Sequence, residues 1–417
     1  MLVRPRLVWA AARDSLWFIP TILTILSSCL AFLLISIDHE QHNRPPLSEW
    51  ENFAGGPEAS RAVLSAIAGS LVTVTGVVFS VTIVALQLAS SQFTPSILRN
   101  FTADRSNQIV LGVFISTFTY TLLVLRAVRT EGQDQTEFVP ILSVLVAMVL
   151  MLISIAFLIY FFHHGARSMQ ASVILHRVAT NSLRRIDELF PDALDDPQVD
   201  DPVELPPGRP HAVGADVGGY IQAVNSNDLY RLAKQRGLVI RMTQPVGDFV
   251  IQGQTIAEVW GPHPLDHPVQ RLIQSGFIIG SERTPEQDIE YGLVEIADMA
   301  VKALSSAIND PTTAKYCIDR LTQILAVLGN RKIPAANGRG DEPIPFIARY
   351  TTFTRALKLA FGPILHFGEG TPLILDHLLH SFEVLAALLP AQHAKDVDEL
   401  RHKIEQLANS DSNTRRS

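Results

Sequence analysis

Residues 62–98 read AVLSAIAGSLVTVTGVVFSVTIVALQLASSQFTPSIL, without one charged side chain. A bilayer core needs only about 20 apolar residues in a helix, so this stretch can cross and continue beyond. Placed on a helix at about 100° per residue, Ser65, Gly69, Thr73, Gly76, Ser80, Gln87 and Ser91 fall within roughly 80° of arc. The rest of the circumference is mainly Val, Leu, Ile and Ala, with Phe79, and Thr75 and Thr82 form a weaker second line. Two readings of the stripe follow. Small residues let another helix approach closely, while hydroxyls bond across it or back to their own backbone. Alternatively, copies of the stripe face one another around an axis and line a hydrated path, where polar groups at membrane depth are tolerated. The Gln87 amide, which needs more partners than a hydroxyl, suits the second. After Gln87 the sequence turns polar, and Pro95 disfavours helical geometry at Thr94. The helix is expected to project about two turns past the bilayer and to break there.

Working outward, four segments are long and apolar enough to cross: roughly 15–37, 62–88, 106–125 and 138–162. The first follows Arg4, Arg6 and Arg13 but is too long for a secretory h-region and lacks an A-x-A-like site, so it reads as a retained anchor. Arg4, Arg6, Arg13, Arg99, Arg105, Arg167, Arg177, Arg184 and Arg185 lie on one side of the spans, against Arg44, Arg61, Arg126 and Arg129 on the other. Lys and Arg bias sets orientation, which predicts both termini in the cytoplasm. No Asp, Glu, Lys or Arg falls inside these segments, which disfavours a proton relay or charge-coupled pump. The net charge of −7 argues against nucleic acid as a partner. Cys29 and Cys317 offer no disulfide framework.

The architecture expected is a four-helix membrane domain (1–165) joined to a cytoplasmic α+β domain. Residues 166–190 read as a juxtamembrane helix with a solvated face at Arg177, Arg184 and Arg185. Residues 191–210 are an acidic, proline-rich linker. From 211 to 262, GGYIQAV, GLVIRMT and GDFVIQGQTIAEVWG are short β-rich runs around a brief helix. They resemble the hammerhead half-barrel of biotinyl and lipoyl domains, with Gly247, Asp248, Phe249, Val250 and Gly253 at the turn. No lysine sits at a hairpin tip, so covalent biotin or lipoate is not expected. Residues 263–409 read as helical, with helices near 347–363, 372–389 and 391–408 and a frayed tail (410–417). Before them come two helices broken at Asn309-Asp310-Pro311. Ser281 or Thr284 can cap the first, with Pro285 in its opening turn; Asp310 caps the second, with Pro311 at its first position.

The runs TGVVFSVTIVALQLASSQFTP, LGVFISTFTYTLLVLR and ERTPEQDIEYGLVEIADMAVKALSSAINDPTTA, in that order, resemble a bacterial family of predicted membrane proteins, domain-of-unknown-function family 2254. Glu282, Arg283 and Thr284, with Asn309, Asp310 and Pro311, carry the most specific likeness. Members often read R-A-L-S-P-x-I-N-D-P at the second motif; this chain has Lys302 and Ser306 instead of Arg and Pro. The resemblance implies a four-span protein of the bacterial inner membrane with a cytoplasmic domain; it does not imply an activity.

Enzyme signatures are scarce. NGRGDEP and HFGEGTP lack the lysine and the strand–helix context of a phosphate loop. His263, Asp266 and His267, and Asp376, His377 and His380, have spacings compatible with a metal but no placed further ligand. No catalytic residue, cofactor or metal is therefore expected. The expected partners are the lipid bilayer, further copies of the chain, and a small ion or cytoplasmic ligand. The leading expectation is an oligomeric ion channel or passive transporter gated by its cytoplasmic domain. The alternative is a membrane-anchored sensor or scaffold.

Overall fold

Apolar length decides the first four helices. α1 (Phe18–Gln41), α2 (Pro57–Gln92), α3 (Arg105–Ala127) and α4 (Ile141–Ser168) each hold a window long and apolar enough to span a bilayer. The computed structural model describes residues 15, 17–41, 56–92, 104–129, 138–168, 170–190, 205–261, 265–332 and 345–414. Within it the chain divides into two units, Met1–Gln170 and Ala171–Ser417. The break expected at Pro95 and most of the acidic linker lie outside the described residues.

In the first unit α3 is central, packing against α1, α2 and α4. Asp104 caps it, its carboxylate accepting from the Ser106 amide at 2.9 Å, which satisfies a backbone donor the helix cannot. Gly112 lets α1 come close: a Cβ there would lie 2.7 Å from Leu23 Cδ1 and 3.2 Å from Pro20 Cα. Ile67, Leu71, Val78, Val110, Phe114 and Phe161 form one buried cluster, and Ala31, Leu64, Tyr120, Val124, Val144 and Ala147 another. Beyond them, Arg129 and Phe138 exchange backbone hydrogen bonds of 2.9 and 3.1 Å.

The second unit begins with α5 (Ala171–Leu189). Then come β1 (His211–Gly214), β2 (Gly219–Val224), α6 (Ser226–Arg236), β3 (Val239–Met242), β4 (Phe249–Val250), β5 (Thr255–Trp260), α7 (His267–Ser275) and β6 (Phe277–Gly280). α8 (Ile289–Ala303), α9 (Pro311–Gly329), β7 (Phe346–Ile347), α10 (Phe353–Gly368), α11 (Pro372–Leu388) and α12 (Ala394–Thr414) complete it. α5 is amphipathic and turns Ile174, Leu175, Val178, Ala179 and Ile186 inward, packing on α8 and α9.

The strands form a four-stranded sheet, β1-β5-β3-β7, and a three-stranded sheet, β4-β2-β6. Val213, Ile221, Ile240, Val250, Ile256 and Phe346 fill the core they share. Both sheets reach past the expected module of residues 211–262. β6 pairs antiparallel with β2, and β7 pairs parallel with β3, although both lie in the stretch read as helical. Strands of four and two residues are too short for a period-two pattern to register. Two helix ends also differ from expectation. Asp288, not Ser281 or Thr284, caps α8 and accepts from the Tyr291 amide at 3.1 Å, because residues 281–287 pass beside β2 through a bend and a turn before the helix starts. α12 continues to Thr414, past the end expected at 408.

Candidate functional site

The stripe on α2 faces out of the protomer. Ser65, Gly69, Thr73, Gly76, Ser80 and Gln87 are all exposed, whereas Leu64, Ile67, Ala68, Leu71, Val78 and Ala85 are buried. At about 100° per residue the centre of the buried arc lies roughly 160° from that of the stripe. A Cβ built on Gly69 or Gly76 would meet nothing within 4 Å. Thr73 satisfies itself by donating to the Gly69 carbonyl at 3.1 Å. Thr75 and Thr82, half-buried, donate to Leu71 and Val78 carbonyls at 2.6 and 2.7 Å. Among the described residues, no hydrogen bond holds the side chains of Ser65, Ser80 or Gln87. The Ser91 side chain lies outside the described residues.

The buried polar groups of this unit cluster instead around α3, where the sequence pattern gave no warning. Ser154 donates to Thr117 Oγ1 at 3.2 Å, and Thr121 donates to the Thr117 carbonyl at 2.7 Å. Asp38, only 6% exposed, accepts from the Leu142 amide at 3.1 Å and from the Ser143 amide and hydroxyl at 3.0 and 2.7 Å. It thereby closes the start of α4. The Tyr120 hydroxyl donates to the Ser143 carbonyl at 3.1 Å. These bonds are made between buried groups of the protein itself, so this seam is a packing device.

In the second unit the two motifs become two separate features. Asn309 adopts a left-handed φ of 47°, a conformation asparagine tolerates better than most residues. Asp310 then caps α9, accepting from the Thr313 amide and hydroxyl at 3.1 and 2.6 Å, with Pro311 at the start of the helix. Those Thr313 bonds hold the Asp310 carboxyl below its ordinary range. The turn and cap account for Asn309-Asp310-Pro311 without further chemistry. Glu282 offers its carbonyl to Gln222 Nε2 at 2.8 Å, and Thr284 is buried beside β2. No ion pair among the described residues joins the two motifs.

Arg283 leads elsewhere. Its Nε donates to Asp288 Oδ2 at 2.8 Å, and its Nη2 stands 3.8 Å from Glu290. Glu290 accepts from Arg355 Nε and Nη2 at 2.7 and 2.9 Å and from Thr351 Oγ1 at 2.5 Å. Arg355 Nη2 also donates to Asp248 Oδ1 at 2.5 Å. The chain of charges is therefore Asp248–Arg355–Glu290–Arg283–Asp288, drawn from the β3–β4 turn, the α8 entry and α10. Gly247 makes the approach possible: with φ of 97°, its missing Cβ is where Asp288 Oδ2 stands. Asp248 and Gly247, singled out as turn residues, are thus part of the cluster, while Glu290, Thr351 and Arg355 carried no sequence signal. They are ordinary residues, Glu290 standing 61 and 65 positions before Thr351 and Arg355, that only the fold assembles.

Asp288 and Glu290 are 4% and 2% exposed. Burial pushes the Asp288 carboxyl up to about 6, with Glu290 adding to the rise and Arg283 opposing it. The hydrogen bond to Asp248, with those to Glu290, holds the Arg355 guanidinium charged above its ordinary range. Next to the cluster opens a cavity of about 120 Å³. Its walls include Val224, Met242, Val246 and Ile289, and Asp288 and Glu290 also line it. Among the described residues no set of three or more His, Cys, Asp or Glu side chains could hold a metal. His377 is committed to Asp319 at 2.7 Å. Cys317 is buried and its thiol pushed up by that burial, which makes it a poor nucleophile.

The family model described as "Predicted membrane protein (DUF2254)" matches residues 13–384. Uncharacterized proteins of Mycobacterium bovis and of Mycobacterium tuberculosis are each 36% identical over 345 residues, which is 80% of this chain. The chain spans 65% of the length of those relatives. No solved structure matches. With that match covering most of its length and four helices fit to cross a bilayer, the chain belongs to the DUF2254 family of predicted membrane proteins.

Proposed function

We propose that the protein is an oligomeric, passive channel in the bacterial inner membrane, with both termini cytoplasmic and the Ala171–Ser417 unit as its gate. The observation that carries this reading is the direction of the α2 stripe. Ser65, Ser80 and Gln87 turn away from the packed face of α2 and have no hydrogen-bond partner among the described residues, and an unsatisfied polar group in hydrocarbon costs several kcal/mol, as a rule of thumb about 2–7. Copies of α2 meeting around an axis give these side chains one another and water. From residue 62 to its end at Gln92 the helix carries no charge, so the path would conduct passively and without strong selection by sign. Reconstituted in liposomes, the purified chain is expected to carry ion flux that Ser80→Leu and Gln87→Leu each reduce by about tenfold or more, the effect of a roughly 1.4 kcal/mol barrier. Flux that is absent, or indifferent to both substitutions, contradicts conduction through α2.

The charged cavity favours a second reading, a membrane-anchored sensor in which the spans only pack. Such a protein binds a ligand in the second unit and shows no flux at all.

A further inference from the structure

The five-membered ion cluster does not balance. Asp248, Asp288 and Glu290 face Arg283 and Arg355, three carboxylates against two guanidiniums. Two further groups stand near. Asp298 on α8 feels Arg283 and has its own carboxyl raised, chiefly by burial. Arg349 lines the cavity, but its guanidinium is exposed and donates to the Thr243 carbonyl at 2.8 Å, so solvent screens it. Counting all seven groups still leaves one negative charge in excess.

The excess sits against open space. Asp288 and Glu290, more than nine-tenths buried, line the cavity of about 120 Å³, whose other walls combine the apolar Val224, Met242, Val246 and Ile289 with the polar Ser226, Gln287 and Thr351. A water needs roughly 10–15 Å³ of such room, so the space admits a molecule of several heavy atoms. Asp288 has acceptor capacity to spare. Arg283 takes Oδ2, and among the described residues Oδ1 accepts from the Tyr291 amide alone, whereas a carboxylate offers about four lone-pair sites. An uncompensated excess of buried charge is costly, and the apolar side chains in the wall give an alkyl body a surface to cover.

We propose that this cavity binds a small organic cation, its ammonium against Asp288 and its alkyl body against Val224, Met242 and Ile289. The site is made wholly of the second unit and does not depend on whether α2 conducts. Binding neutralises the excess charge and ties the β3–β4 turn, the α8 entry and the segment before α10 through one occupant. It also competes with a proton: Asp288 titrates near 6, and a cation holds it ionised.

The test is isothermal titration of the full-length chain in detergent with n-butylammonium at pH 7.5 and pH 5, with n-butanol and potassium as comparators. Saturable binding of n-butylammonium alone is expected, weaker by about tenfold at pH 5, as follows for one competing proton on a group titrating near 6. Asp288→Asn keeps a good helix cap and is expected to lose at least about tenfold in affinity together with the pH dependence. Val246→Phe, which fills the cavity from its wall, is expected to weaken binding without removing the carboxylate. No saturable binding, equal binding of n-butanol or potassium, or binding that Asp288→Asn leaves unchanged would each overturn the proposal. None of these readouts involves flux, so a failed channel and a failed cation site are told apart.

Discussion

At the scale of the residue, the clearest consequences belong to two aspartates with opposite environments. Asp310 is a half-buried cap whose carboxylate is held by Thr313. Asp310→Ala removes that cap and is expected to destabilise the second unit by about 1 kcal/mol, read as a lower urea midpoint of the full chain. Asp288 is a buried cap that burial makes reluctant to ionise. Its folded pKa of about 6 lies above the ordinary 3.8, so between those values the folded state holds a proton that the unfolded chain has released. The stability this contributes is therefore present below about pH 4 and is lost as pH rises through 6, a swing on the order of 3 kcal/mol. Hydrogen exchange of the α8 amides, compared between wild type and Asp288→Asn from pH 4 to 7, is expected to show the downward slope in the wild type only. An identical slope in both places the titration elsewhere. Asp310 was legible because a helix cap is written within four consecutive residues. Asp288 stood in the same kind of sequence, yet which of Ser281, Thr284 and Asp288 starts the helix depends on how side-chain bonds hold the preceding segment beside β2, including Gln287 Oε1 accepting from the Val224 amide at 2.9 Å. That choice is tertiary.

At the scale of the element, α2 is the informative one. Its length and polar stripe could be read directly, since periodicity on one helix is a local property. Which way the stripe points could not, because that depends on which arc α3 and α4 cover. Gly69 and Gly76 have empty space where a side chain would stand, so replacing both by isoleucine leaves the protomer's own packing undisturbed. If copies approach along this face, Gly69→Ile with Gly76→Ile is expected to shift the purified protein toward smaller assemblies in light scattering while its helical content stays constant. An unchanged mass would mean that the copies do not meet on this arc. The Asp38 contacts teach the converse lesson. Asp38 stands one residue past the first apolar run, where sequence alone treats a charge as the end of a span, and it is in fact a buried cap on α4.

At the scale of the whole molecule, the four apolar helices all fall in the unit Met1–Gln170. The membrane architecture was therefore accessible from composition and order, and the family likeness followed from motifs. The ion cluster was not, because its members lie 107 and 65 residues apart along the chain, and the local patterns that hold Asp248 and Arg283 do not show that Glu290 and Arg355 join them. The central claim is that the α2 stripe meets water and its own copies. Its most direct test is cysteine accessibility in native membranes, in a Cys29→Ser background that leaves Cys317 buried. Ser80→Cys is expected to react with a charged, water-soluble thiol reagent and to cross-link to a second copy on oxidation. Val81→Cys, exposed on a neighbouring arc of the same helix, is expected to do neither. Ser80→Cys that stays unreactive and monomeric, or that behaves as Val81→Cys does, contradicts the account.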